Sequence, residues 1–137
     1  MSVYRITFAL DLFNGPKERE LSRKVLGIML RCLLDIDVAY LQSHPEAPLL
    51  YKSGVRYMEE PPGQEDWQDI PTTLRMGLAD CEDVACWRAA ELQVRFGILA
   101  EPVFIEQKRD DGSCLYHVLV RYPDGRIEDP SKILGMK

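Results

Sequence analysis

Cys81, His117 and Asp129, in that order along the chain, have the residue types of a thiol nucleophile, its proton carrier and the carboxylate that steadies the carrier. A cysteine attacks a carbonyl carbon as the thiolate, an imidazole takes and returns the proton, and a carboxylate behind the ring stabilises its charged form. The sequence puts Cys81 at the first position of a helix, where unpaired backbone N–H groups and the positive dipole end favour an anion. Asp80, Glu82 and Asp83 crowd the same turn and oppose this by raising the thiol pKa. An imidazolium nearby is therefore required. Of the two histidines, His44 precedes Pro45 at a predicted helix end and reads as an exposed capping residue, which leaves His117 as the candidate base. A lone histidine between strand hydrophobes is usually structural, so its case rests on geometry with Asp129. Cys32 lies inside the first predicted helix, Cys86 in mid-helix and Cys114 in a loop before a strand; all three read as core packing or incidental surface thiols.

The elements that would position these groups follow from period and punctuation. Val3 to Leu10 alternates, with Tyr4, Ile6, Phe8 and Leu10 on one side, and predicts a strand or structured arm ended by Asn14, Gly15 and Pro16. From about Lys17 to Leu41, Leu21, Val25, Ile28, Met29, Leu33, Ile36 and Tyr40 recur at three- and four-residue steps. This predicts a long amphipathic helix with Glu18, Arg19, Arg23, Lys24 and Arg31 toward solvent. Between His44 and Pro71 the prolines Pro45, Pro48, Pro61 and Pro62 predict an irregular connection with a short extended piece at Val55 to Met58. A helical turn follows Pro71, through Thr72 to Met76.

Asp80 is the expected N-cap of a helix from Cys81 to about Phe96, with Asp83 completing a capping-box variant and Gly97 the left-handed stop. Trp87 and Phe96 read as core. Strands are predicted at Val103 to Glu106, Leu115 to Tyr122 and Arg126 to Asp129. Pro123-Asp124-Gly125 joins the last two. If that turn has three residues with Gly125 left-handed, Tyr122 pairs with Arg126 and Leu119 with Asp129, so Asp129 shares the face of His117. A two-residue turn would set Asp129 opposite Val120, facing the other way. The expected fold class is α+β, a nucleophile-bearing helix on an antiparallel sheet preceded by a long N-terminal helix, in a single domain over residues 1–137.

The run Asp80-Cys81-Glu82-Asp83-Val84-Ala85, the Gly97-Ile98 after the helix, Tyr116-His117-Val118 and the closing Glu128-Asp129-Pro130-Ser131 resemble the core of the transglutaminase-like, papain-related family, over roughly residues 66–135. Where that family often has glycine two residues before the nucleophile, this chain has Ala79. The resemblance implies attack by Cys81 on an amide or ester carbonyl, proton transfer by His117, orientation by Asp129 and an acyl-enzyme intermediate. It also implies an oxyanion site formed by the Cys81 backbone N–H and one upstream donor, Trp67 or Gln68, with Asp83 in support. Taken alone, Trp67 reads as a core or lid aromatic and Asp83 as a helix cap. The acceptor, water or an amine, stays open. Small domains of this kind are similar to proteins encoded by bacteriophages and prophages, so a non-catalytic virion or assembly role is the alternative.

Composition narrows the partners. A length of 137 residues, 46% of them hydrophobic, suits one ordinary core, and a net charge of -5 supplies no phosphate-tracking surface. The expected partner is a protein or peptide substrate, with no nucleic acid and no membrane. No signal or membrane segment stands out, so a cytoplasmic setting (host cytoplasm or virion) is expected. No cofactor and no metal are called for. The rival reading is a zinc set of Cys81, Cys86, Cys114 and His117, and spacing argues against it, because residues five apart on a helix differ by about 140° around its axis.

Overall fold

The computed structural model describes residues 3–7, 16–61, 64–108, 110 and 114–137. Phe8 to Leu10, the Asn14-Gly15 break and Pro62 lie outside these, as do the side chains of Glu18, Arg19 and Cys114. The elements run α1 (Pro16–Ser43), a short 3-10 turn (Leu50–Lys52), β1 (Arg56–Tyr57), α2 (Ile70–Met76) and β2 (Leu78–Ala79). They continue with α3 (Cys81–Phe96), β3 (Glu101–Lys108), β4 (Cys114–Arg121), β5 (Ile127–Glu128) and α4 (Pro130–Ile133). β3, β4 and β5 form an antiparallel sheet in that spatial order, while β1 and β2 pair in parallel. The fold is α+β.

Helix α3 is the centre of the molecule. Val84, Ala85, Cys86, Trp87, Ala89 and Ala90 are all fully buried, because α1 packs along one side of α3 while β3 and β4 cover another. Small residues at 85, 89 and 90 let the neighbouring elements approach closely, and Trp87 fills the remaining space. Both ends of α3 have the expected chemistry. Asp80 and Asp83 form a reciprocal capping box at its start, and Gly97, at φ 66°, ends it in the left-handed conformation that glycine adopts without a Cβ clash. Phe96, expected in the core, is 53% exposed. It sits in the last turn of α3, next to the Gly97 stop.

Two further expectations are corrected. Residues 3–7 form no strand and are exposed, since alternation alone does not supply a partner edge. In α1 the buried stripe is Ser22, Leu30, Leu33, Leu34, Asp37 and Leu41, while Leu21, Ile28 and Ile36 are exposed. The expected face is thus rotated by about one residue, or about 100°. The reason is the polar pair in the true stripe: Asp37 is buried because its Oδ1 accepts the Ile70 N–H at 3.0 Å at the start of α2.

The turn between β4 and β5 has the three-residue register. Tyr122 N–H donates to the Arg126 carbonyl at 2.8 Å and Gly125 N–H to the Tyr122 carbonyl at 2.9 Å, with Gly125 at positive φ. The ladder then pairs Arg121 with Ile127 and Val120 with Glu128, which sets Leu119 opposite Asp129. Among the described residues, no helix is long and apolar enough to cross a membrane.

Candidate active site around Cys81, His117 and Asp129

His117 stands in the middle of β4, opposite Ile105 of β3, and is 7% exposed. Its Nε2 lies 2.9 Å from Asp129 Oδ2. Asp129 has a second task, since its Oδ1 accepts the Lys132 N–H as the N-cap of α4, with Pro130 following at the start of that helix. One oxygen held by the helix start and the other by the ring leave the carboxylate little rotational freedom. The imidazole is oriented as a consequence.

Cys81 opens α3, as its cap requires, and is 8% exposed. It belongs to the core cluster that includes Val118 and Val120, whose side chains leave β4 on the face opposite His117. The sulfur meets the strand near the Val118 backbone N–H, one residue from His117. Its hydrogen bond goes to Glu82 Oε2 at 3.5 Å, and the hydrogen bond of the ring goes to Asp129. Among the described residues, no hydrogen bond joins the Cys81 sulfur to His117 in this state. Burial, then Glu82 and Asp80, push the Cys81 thiol well up, against the pull of the Val118 N–H. The thiol form is therefore the resting one.

The expected oxyanion donors are all engaged. The Cys81 backbone N–H donates to Asp80 Oδ1 at 2.7 Å. The indole N–H of Trp67 donates to Glu65 Oε2 at 3.3 Å. The side-chain amide of Gln68 donates to Asp83 Oδ2 at 3.2 Å and to the Leu78 carbonyl at 3.3 Å. Asp83 also accepts the Gln68 N–H at 2.7 Å and the Asp80 N–H at 3.0 Å. Its part is thus that of a cap tying the 60–69 segment to α3. Burial raises its carboxyl to about 7 even though these donors hold it down.

The sequence points to Glu82 as a charge beside Cys81 but not to Tyr57 or Glu60. The pairing of Tyr57 with Ala79 brings the Tyr57 phenol to the start of α3. Burial first, then the charges of Asp80 and Cys81, raise its pKa. Ala79 is buried in this pair. The missing signal was β2, two residues hidden between a helix stop and a helix start. Acidic side chains converge on the same place: Asp80, Cys81 and Glu82 form one cluster with ligand-like spacing, and Glu60, Glu82 and Asp83 another. Neither includes Cys86, whose thiol is buried against the Leu30 carbonyl, nor His117. His44 stacks on Tyr40 and caps α1 through its Nδ1 and the Tyr40 carbonyl, half-buried. Cys32 is an exposed free thiol. Two surface grooves lie along α1, near Gly27 and Arg31, away from Cys81.

Comparison with protein-family models, with curated proteins and with solved structures found no match for this chain.

Proposed function

We propose that this chain carries out cysteine-dependent acyl transfer or amide hydrolysis of the transglutaminase-like kind, with Cys81 as nucleophile, His117 as base and Asp129 as orienting group. The observation that carries the reading is the 2.9 Å contact of His117 Nε2 with Asp129 Oδ2, with Cys81, at a helix start, meeting the same strand near the Val118 N–H. With Nε2 engaged, Nδ1 is the nitrogen left to exchange a proton with the thiol. The Cys81 sulfur would turn from Glu82 toward the ring, lose its proton to Nδ1 and attack the carbonyl carbon. The protonated ring then returns the proton to the leaving amine as the C–N bond breaks. Water reaching the thioester gives hydrolysis, and an amine gives transfer. A protein or peptide amide is the substrate class, and the Tyr57 phenol is the nearby donor that could follow the developing oxyanion.

A second reading is favoured by one set of contacts: the thiol bound to Glu82 and the Cys81 N–H bound to Asp80. On that reading the fold is kept as a structural or assembly module without turnover, such as a virion component. Alkylation by iodoacetamide at pH 6, followed by peptide mass mapping, separates the two. The catalytic reading expects Cys81 to label at least tenfold faster than exposed Cys32, and His117→Ala to erase the difference. Slower labelling of Cys81 than of Cys32 would leave the structural module standing.

A further inference from the structure

We infer that Glu60, Glu82 and Asp83 form a binding site for a single hard divalent cation of calcium size, at the start of α3. The carboxylate oxygens of these three residues lie within 4.8 Å of one another. Three protein carboxylates suit calcium, which takes six to eight oxygens at about 2.3–2.6 Å in a flexible shell, whereas magnesium keeps several waters and is usually held by one or two carboxylates. An all-oxygen, all-anionic donor set selects a hard ion over zinc or copper.

The second observation concerns Glu82 itself. It is 3% exposed, and its Oε1 is buried with no hydrogen-bond partner. The other oxygen receives the Cys81 thiol, at 3.5 Å, with the Glu82 backbone N–H close to the carboxylate. A buried carboxylate oxygen without a partner is costly, so a cation or a proton has to satisfy it. Among the described residues, the ion pairs of Lys, Arg and His include none to Glu60, Glu82 or Asp83. The capping box accounts for Asp83, which accepts backbone N–H groups from Asp80 and Gln68, and Glu60 Oε2 accepts the Asp66 N–H at 2.7 Å. These bonds fix two of the ligands in place; Asp83 Oδ2 also accepts the Gln68 side-chain amide, so Asp83 Oδ1 and the Glu60 carboxylate keep the lone pairs that a metal would take. Glu82 is the carboxylate they leave over, and it points into the same cluster.

The test of the site does not require Cys81 to react. It uses the full chain, stripped with EGTA, titrated calorimetrically with Ca²⁺ and in parallel with Tb³⁺ while exciting tryptophan, since Trp67 lies in the segment that carries Glu60. One equivalent of Ca²⁺ should bind, Tb³⁺ luminescence should appear and be displaced by Ca²⁺, and the thermal midpoint should rise with Ca²⁺. Glu82→Gln keeps the shape of the side chain and should weaken Ca²⁺ at least tenfold. Should that variant fail to fold, Glu60→Gln, on a half-exposed loop position, reads the same loss. Wild-type protein that takes up no Ca²⁺, or binding that both variants leave unchanged, would overturn the inference; a proton on Glu82 would then be what satisfies the cluster.

Discussion

Glu128 is the anchor that holds the short strand β5, and removing it gives a sharp test of how the Asp129 side of the site is built. Its carboxylate accepts hydrogen bonds from the Tyr51 hydroxyl at 2.6 Å, Arg88 Nε at 2.7 Å and the Tyr122 hydroxyl at 2.7 Å. Arg88 turns its other side to Glu91 at 2.7 Å, and Glu91 in turn accepts the Leu50 N–H at 2.8 Å. The network thus ties β5 to α3 and to the 3-10 turn. Breaking a buried pair by removing one partner costs about 3–5 kcal/mol. Arg88 keeps Glu91 and the side chains are 16% and 19% exposed, so Glu128→Ala is expected at the low end, about 3 kcal/mol. Glu128→Gln keeps an acceptor and loses the charge, for about 2 kcal/mol. At a urea slope of about 1.5 kcal/mol/M these are midpoint shifts of about 2 M and 1.3 M.

Burial pushes the Glu128 carboxyl up, but the donors from Arg88, Tyr51 and Tyr122 outweigh it and hold it below the usual range. A depressed folded pKa contributes stability that is present above the unfolded value of about 4.3 and lost as pH falls through the folded one. The gap between wild type and Glu128→Gln should therefore shrink below about pH 4. A Glu128→Ala midpoint shift under about 0.5 M, or a double-mutant cycle with Arg88→Met showing no coupling, would refute the network.

Further outcomes follow from the same packing. The carboxyl of Asp37 is raised by burial, with the charges of Asp69 and Asp83 adding to it against the Ile70 N–H. Its contribution is therefore present below the unfolded value of about 3.9 and lost as pH rises through the folded one, at about 1.4 kcal/mol per pH unit. Asp37→Asn should accordingly be more stable than wild type at pH 8, with the difference closing toward pH 4 in urea titrations, and equal pH profiles would sink the assignment. Trp87→Ala should cost about 3–5 kcal/mol by chemical denaturation, whereas Trp87→Phe, which also removes an indole N–H that is buried without a partner, should cost well under half of that. The double change Pro123→Thr and Asp124→Asn keeps the chain length but favours a two-residue Asn-Gly turn that pairs position 123 with Arg126, which moves Asp129 opposite Val120, to the face away from His117. The ¹⁵N shifts of the His117 ring should then lose the signature of a carboxylate-bound Nε2, and unchanged shifts would show that α4, and not the strand register, places Asp129.

What was legible in the sequence was legible through local chemistry. Asp80, Asp83 and Gly97 announce both ends of α3 because caps act on the nearest few backbone groups, and Pro123-Asp124-Gly125 fixes a register because turn length and strand alternation leave two choices. That register carries Asp129 to the His117 ring with no tertiary information. The face of α1 was misread for the opposite reason: Asp37 is buried by a bond to Ile70, distant in sequence, and a hydrophobicity pattern counts a buried acid as solvent-facing. The surroundings of Cys81 were half legible. Helix position argues for a thiolate and the neighbouring acids argue against it, and only packing decides, by burying Glu82 beside the sulfur and by bringing in Glu60 and Tyr57 through β1 and the loop after it. The acids that hold the Cys81 thiol protonated are also the group that lacks a counter-charge, so the reactivity of the sulfur and the occupancy of the carboxylate cluster are two aspects of one local charge imbalance. Whatever neutralises Glu82, a proton or a cation, also sets how readily Cys81 could turn toward His117.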